Sequence, residues 1–486
     1  MKLKELIKNL SIVDIMGEVD LEVEGIAYDS RKVEKNYIFV CVVGMKTDGH
    51  TYIDQAIKTG ATVLIVQKDI SPIKGVTIIK VEDSRKTLAK VSSNFFQNPT
   101  ANMDIVGVTG TNGKTTITHL IKNILEKSGM NTGLIGTISH QILDKEYKAN
   151  NTTPESLELQ KMFKEMKDLK VNACAMEVSS HSLVLDRVEG INFKIGVFTN
   201  LTRDHLDFHE SIENYKNAKA KLFYQTTLAN IINIDDTYGE EIAKEVNLLD
   251  TKLITYGIKR KADIYAEDIY ISPKGAEFTL ITPKFRGNIR IATPGMFSVY
   301  NALAAMAVCY VLGFEYEQIK KGIESIEGVA GRFESVQNEK NHTIIVDYSH
   351  TPDALENALK TIKEFVEGKI ITVFGCGGDR DKVKRPMMGE IAGKLSDFCI
   401  ITSDNPRSEE PNSIIKDIEV GIKKTNCKYK MIVDRKEAIK EAIKNSNQKD
   451  IVLIAGKGHE TYQILGDKII DFDDRKIAQE ILREEK

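Results

Sequence analysis

No stretch of this 486-residue chain holds the about eighteen uninterrupted apolar residues that a membrane-spanning helix needs. An excess of charge of one sign is missing too. The 67 lysines and arginines stand against 70 aspartates and glutamates, and a formal net charge of −3 leaves no electrostatic footprint for nucleic acid. No basic run suggests a membrane surface. Cysteine is scarce, and the six present (Cys41, Cys174, Cys309, Cys376, Cys399 and Cys427) show no metal or redox spacing. Several lie in apolar runs, as the reduced thiols of a cytoplasmic protein would. The first ten residues intersperse lysines with Leu3, Leu6, Ile7 and Leu10 without a continuous apolar stretch, which predicts a short amphipathic helix and not a signal peptide.

What is present is ordinary for a globular chain: 42% hydrophobic and 28% charged residues. At typical domain size the length implies about three domains, each long enough to bury a core.

The most informative stretch is 104–116. Ile105, Val106 and Val108 read as a buried strand, 110–113 as a flexible turn, and Ile117, Leu120, Ile121, Ile124 and Leu125 follow at helical spacing. Strand, glycine turn and helix in that order suit a phosphate-binding loop. Backbone N–H groups approach phosphate oxygens, a lysine reaches the outer phosphates and a hydroxyl meets Mg²⁺. Lys114 and Thr115 fit the last two parts. Val108 stands where the standard spacing puts its first glycine, so Gly110, Thr111, Asn112, Gly113, Lys114, Thr115 and Thr116 form a shortened variant. Binding of ATP or GTP is the expectation.

Around this loop, short apolar strands at 38–43, 63–66 and 76–81 alternate with polar turns, and the turn-rich 97–102 marks a domain boundary. Beyond the loop, strands at 132–137, 171–178 and 195–199 and a helix over 155–169 predict a parallel sheet covered by helices. Polar clusters sit at strand ends, where open α/β sheets gather ligands: Glu177 to His181, and Asn200 to Asp207. Thr153 reads as an N-cap for the helix begun by Pro154 and Glu155. Glu177 and His205 are candidate Mg²⁺ ligands; taken alone, His205 suits a capping or core position. By composition alone Lys219 belongs to the solvated face of a charged helix. After a second boundary at 328–334 the pattern restarts, with strands at 343–347, 369–374, 398–402 and 451–455 each ending in polar residues. That is the outline of a Rossmann-like domain, though 375–378 does not match a dinucleotide fingerprint.

In order, residues 110–116, Glu177 to His181, Asn200 to Asp207, the helix of Tyr215 and Lys219, Gly331-Arg332, Asp347 to Pro352 and Asp404-Asn405-Pro406-Arg407 resemble the Mur ligases over essentially the whole chain. Within that family the pattern is most similar to members that add meso-diaminopimelate to UDP-N-acetylmuramoyl-L-alanyl-D-glutamate. The resemblance implies an α/β, three-domain Mur ligase architecture: an N-terminal UDP-substrate domain (1–98), a central P-loop ATPase domain with a parallel sheet (99–330) and a C-terminal Rossmann-like amino-acid domain (331–486). It implies a cytoplasmic, monomeric, ATP-dependent amide ligase of peptidoglycan synthesis, in which the D-glutamyl carboxylate is phosphorylated and the diaminopimelate amine attacks the acyl phosphate.

By the same likeness Thr115 and Glu177 hold one Mg²⁺, while His205 and a carbamate formed by carbon dioxide on Lys219 hold another. Lys114, Asn301, Arg332 and Asp347 contact the nucleotide. Ser30, Asn151, Thr152, Thr153, Ser179 and Arg187 bind the UDP-sugar peptide. Arg380, Asp404, Asn405, Pro406, Arg407, Gly456 and Glu460 form the amino-acid pocket. There the Arg407 guanidinium clamps the second carboxylate of diaminopimelate, and Glu460 suits its distal ammonium. Two positions depart from the family pattern: Leu185 where glutamine is frequent, and Ser298 where asparagine is. The alternatives are a sister ligase adding L-lysine or extending folate, and a nucleotide-binding scaffold without chemistry. Arg407 argues against lysine, the Ser30 region against folate, and Lys219, His205 and Glu177 together against a scaffold.

Overall fold

Strand Asp104–Thr109 lies in the middle of a sheet, parallel to Ala173–Glu177 on one side and to Phe193–Phe198 on the other. Thr132–Ile135 and Thr226–Asn233 flank these three, again parallel. Parallel strands are covered on both faces, which is why they read as unbroken apolar runs and why all their C-terminal ends emerge on one edge. Helix Lys114–Lys127 buries Ile117, Leu120, Ile121, Ile124 and Leu125. Strands Ser139–Ile142 and Lys145–Lys148 extend the sheet as an antiparallel edge.

The computed structural model describes residues 1–44, 47–336 and 342–484, and the chain divides into two units, Met1–Thr255 and Tyr256–Lys486. The first unit also holds a five-stranded sheet in the order Ile12–Met16, Thr77–Val81, Ala61–Val66, Tyr37–Val40, Gly25–Ala27, parallel except for its first pair. The amphipathic helix expected over the first ten residues shrinks to Leu3–Leu6. Leu3 donates to the carbonyl of Leu21 (2.9 Å) and Val23 to that of Met1 (2.8 Å), and the chain then extends into strand Ile12–Met16. Backbone pairing on both sides leaves room for a single turn.

In the second unit, strands Ile264–Ser272, Gly275–Ile281 and Arg286–Ile291 form an antiparallel ribbon. It precedes helix Met296–Val311, whose alanines are buried. A six-stranded sheet follows in the order Glu334–Ser335, Thr343–Asp347, Ile451–Ala455, Ile370–Phe374, Phe398–Ile401, Lys428–Met431, parallel except for the first pair. Alternate strand residues feed two cores, Ile345, Phe374 and Ile401 on one face and Val346, Val373 and Ile400 on the other. Under the strand tips, Arg435 and Asp474 form a two-pronged ion pair (2.8 and 2.7 Å) with both side chains fully buried. Arg435 also donates to the carbonyl of Ala455 (3.1 Å).

The six cysteines are free, five of them buried and Cys427 half-buried. Among the described residues no helix is long and apolar enough to cross a membrane.

Candidate functional site

The glycine loop is pinned by the neighbouring strand tip. Thr111 N–H donates to the carbonyl of Asn200 (2.8 Å), Asn112 N–H to its side-chain oxygen (3.0 Å), and the Thr199 hydroxyl to the carbonyl of Asn112 (2.7 Å). A Cβ at Gly110 would lie 1.8 Å from the Thr199 Oγ1, so only glycine fits there. The Lys114 Nζ folds back to donate to the carbonyls of Gly110 and Thr111, both at 2.8 Å. Helix Lys114–Lys127 starts at this loop, so the positive end of its dipole favours an anion there.

Glu177, at the end of its strand and 1% exposed, meets the loop through Thr115, whose hydroxyl donates to Oε2 at 3.0 Å. Thr137 adds an N–H to Oε1 (2.7 Å) and a hydroxyl to Oε2 (3.1 Å). Sequence reading passed over Thr137, although it too follows a buried strand, Thr132–Ile135. The expected N-cap role of Thr153 is not what the structure gives. Glu155 occupies the cap of helix Ser156–Asp168 without a side-chain bond, while the buried Thr153 hydroxyl donates to the carbonyl of Glu177 (2.8 Å) and accepts from Ser179 N–H (3.1 Å). The helix starts at Ser156, two residues too late for Thr153 to be its cap, and the hydroxyl is turned to the strand end instead.

Lys219 overturns the expectation from composition most clearly. It is 1% exposed, and its Nζ donates to the same Gly110 carbonyl at 2.8 Å while lying over the Tyr215 ring. Burial first, and the positive charge of Lys114 second, hold its pKa well below the ordinary lysine value. Lys216 on the same helix is also buried, but it pairs with Glu213 (2.8 Å) and Glu241 (2.9 Å), which push its pKa up. The helix thus buries two lysines in opposite charge environments. His205 stands at the start of the short helix Leu206–His209 with φ 53°, its side chain 48% exposed, edge-on to the His181 ring at 4.9 Å. His209 is buried with Nε2 2.9 Å from the Ser180 hydroxyl, and desolvation lowers its pKa to about 4.

Among the described residues no three of histidine, cysteine, aspartate and glutamate are close enough to hold a metal ion. The candidate donors are instead a hydroxyl, a carboxylate, an imidazole and an amine. Burial that lowers an amine's pKa makes it easier to deprotonate, and a deprotonated amine can add carbon dioxide and so become an oxygen ligand suited to Mg²⁺; the donor set fits the group the resemblance implies.

Of the substrate candidates in this unit, Thr152, Thr153, Ser179 and Arg187 converge. The Thr152 and Thr137 hydroxyls are 3.0 Å apart, and Arg187 donates to the carbonyl of Thr153 (3.1 Å) and pairs with Glu155 (2.7 Å). Asn151 is exposed beside them. Ser30 bonds elsewhere, to Gln55 Oε1 at 3.1 Å.

In the second unit the strand-tip candidates form one group. Asn405 donates to Glu460 Oε2 (2.9 Å), the Arg407 Nη1 to the carbonyl of Gly378 (2.7 Å), and Gly456 lies so near Asp404 that a Cβ would meet its Oδ2 at 2.6 Å. Pro406 is buried between them, and Arg380 is exposed on the facing loop. Sequence reading missed Lys457, fully buried and 2.9 Å from Glu460 Oε2. Arg332 stacks on Tyr348 (4.6 Å to the ring centre), while the Asp347 carboxylate accepts from Phe333 N–H (2.8 Å) and Ser349 N–H (3.0 Å). Asn301 is buried within helix Met296–Val311, where Ser298 turns its hydroxyl onto the carbonyl of Pro294 (2.9 Å).

Three family models match the chain in succession: the Mur ligase family catalytic domain at residues 22–96, the Mur ligase middle domain at 108–309, and the Mur ligase glutamate ligase domain at 331–458. UDP-N-acetylmuramoyl-L-alanyl-D-glutamate--2,6-diaminopimelate ligase of Alkaliphilus metalliredigens is 52% identical over 485 residues, covering 100% of this chain and 98% of that protein. The protein of the same name in Clostridioides difficile is 52% identical over 482 residues, with 99% of each covered. A solved structure of a ligase of that name superposes with a TM-score of 0.74 at 32% identity, covering 100% of this chain and 99% of that one. The chain has the three-domain α/β architecture of these proteins and belongs to the Mur ligase family.

Proposed function

We propose that this chain is an ATP-dependent ligase of peptidoglycan synthesis that joins meso-diaminopimelate to UDP-N-acetylmuramoyl-L-alanyl-D-glutamate. Its half-identical, full-length relatives carry that activity in their name, with 2,6-diaminopimelate as the added amino acid. The observation that carries the reading in this chain is the buried Lys219 amine, 2.8 Å from the carbonyl of Gly110 in the phosphate loop. A scaffold that only bound nucleotide would gain nothing from the cost of desolvating it.

On this reading the N–H groups and Lys114 of the loop receive the triphosphate. The γ-phosphoryl group passes to the D-glutamyl carboxylate as ADP leaves; the amine then attacks the acyl carbon, phosphate departs, and an amide forms with loss of a proton. Thr115 and Glu177 would hold one Mg²⁺, and His205 with carbamylated Lys219 a second. When bound, the metals supply neutralisation of the charge that builds up on the transferring group. Thr137 and Thr115 fix the orientation of Glu177. Ser30, Asn151, Thr152, Thr153, Ser179 and Arg187 hold the UDP-sugar peptide; Asn301, Arg332 and Asp347 hold the nucleotide. In the acceptor pocket Arg407 takes the carboxylate that lysine lacks, with Arg380, Asp404, Asn405, Gly456 and Glu460 around it. Domain limits at 98 and 330, a cytoplasmic site of action and a monomeric state belong to the same reading.

The test is ADP release measured with each substrate omitted in turn. Release that requires both the UDP-dipeptide and meso-diaminopimelate is expected; release indifferent to the amino acid would sink the proposal.

A further inference from the structure

Lys457 is a lysine with no exposed surface, placed just after strand Ile451–Ala455. Burying an ammonium is costly unless it is paired. Its Nζ donates to Glu460 Oε2 at 2.9 Å and lies 3.4 Å from Asn405 Oδ1 and 5.4 Å from the centre of the Tyr462 ring. Asn405 in turn donates its amide to the same Glu460 oxygen (2.9 Å) and accepts from Ile464 N–H (2.9 Å). Glu460 Oε2 is therefore taken by two donors of this chain, and among the described residues Oε1 has no hydrogen-bond donor. The carboxylate keeps 17% of its side-chain surface exposed, with a positive charge already beside it.

Such a carboxylate can accept one bond from an incoming ammonium, but the attraction is offset by the repulsion of Lys457. A side chain ending in an ammonium alone meets that repulsion uncompensated. One ending in an ammonium and a carboxylate carries its own negative charge, which Lys457 and Arg407 both favour. Resting on the ligase reading above, we infer that Lys457 is a specificity-determining positioning residue. It holds Glu460 in place and sets the charge of the pocket so that a zwitterionic side-chain end is preferred over a purely cationic one. The discrimination thus has a second source besides the direct grip of Arg407, acting by repulsion as well as attraction.

The experiment compares kcat/KM for meso-diaminopimelate and for L-lysine in the full-length enzyme and in Lys457→Met, Lys457→Gln and Lys457→Arg. The ratio of the two is expected to fall at least tenfold in Lys457→Met and to stay near the parent value in Lys457→Arg, with KM for ATP unchanged throughout. Lys457→Gln keeps a donor for Glu460 without the charge, and gives the same fall should the methionine variant not fold. A ratio unchanged in a cooperatively melting Lys457→Met or Lys457→Gln, both acceptors losing rate equally, would make the lysine merely structural and overturn the inference. A parent enzyme without amino-acid-dependent ADP release would instead overturn the ligase reading, and the inference with it.

Discussion

The side-chain nitrogen of Lys219 sits 4.3 Å above the centre of the Tyr215 ring, and the phenol of that ring reaches 3.3 Å to the Thr111 hydroxyl in the phosphate loop. One aromatic side chain thus shields the amine from water with its face and touches the loop with its edge. Tyr215→Phe keeps the face and loses only the hydroxyl contact, so turnover is expected to stay within about threefold of the parent, a loss under the roughly 1 kcal/mol of a typical hydrogen bond. Tyr215→Leu removes the face and should lower turnover by more than tenfold. Steady-state ADP release separates the two.

Lys219→Ala should stop ADP release, with a loss on the order of a hundredfold or more, as for removal of one preorganised electrostatic group. Partial recovery on adding bicarbonate or a short carboxylate would identify the missing group as an oxygen ligand. No recovery at any concentration would count against a carbamate.

Arg407→Ala should raise KM for diaminopimelate by roughly 30-fold or more, since truncating one partner of a buried charge pair costs about 2–5 kcal/mol. KM for ATP should move little. Equal rises in both would place the guanidinium outside the amino-acid pocket. The loop carrying it is well braced: Arg407 N–H donates to the carbonyl of Ile464 (3.2 Å), and Gly466 N–H donates to the carbonyl of Arg407 (2.9 Å).

Two residues further on, Glu409 grips the fully buried Arg385 with both oxygens (3.0 and 2.8 Å) and accepts from Asp379 N–H (2.7 Å). The Arg385 guanidinium holds the Glu409 carboxyl at about 2, below its ordinary 4.5. A folded-state value below the unfolded one means the stabilisation is complete above pH 4.5 and is lost as the pH falls towards 2. The urea midpoint of the parent should therefore exceed that of Glu409→Gln near neutrality, and the two should converge on acidification. A gap independent of pH would show that Glu409 acts by packing alone.

The elements carrying the chemistry were legible because each combines an apolar run with punctuation. The Ile105–Val108 run, the glycines at 110 and 113 and the helical spacing after Lys114 left few other folds. The strand-tip residues Glu177, Asn200 and Asp404 could be placed for the same reason. What escaped depends on contacts distant in sequence. Lys219 looked solvated because a pattern of lysines on a short helix is usually a wet face, and the Gly110 carbonyl that its amine meets lies far away in sequence. Thr153 looked like a cap until strand Ala173–Glu177 supplied its partner. Thr137 and Lys457 gave no local signal beyond their place after a strand, and the first ten residues followed the pairing of their backbone over their own periodicity.

The buried pair of Arg435 and Asp474 also bears on the order in which the acceptor pocket can be made. Asp474 opens helix Asp474–Glu484, whereas Arg435 reaches back to the carbonyl of Ala455 beneath Gly456. A nascent chain halted before Asp474 would carry in its interior a guanidinium without the carboxylate it pairs with directly, leaving only the attraction of Asp404 and Glu460. The floor under the amino-acid site therefore sets only after that late helix has left the ribosome, and nonsense mutations near residue 474 should cost this enzyme its acceptor before its nucleotide.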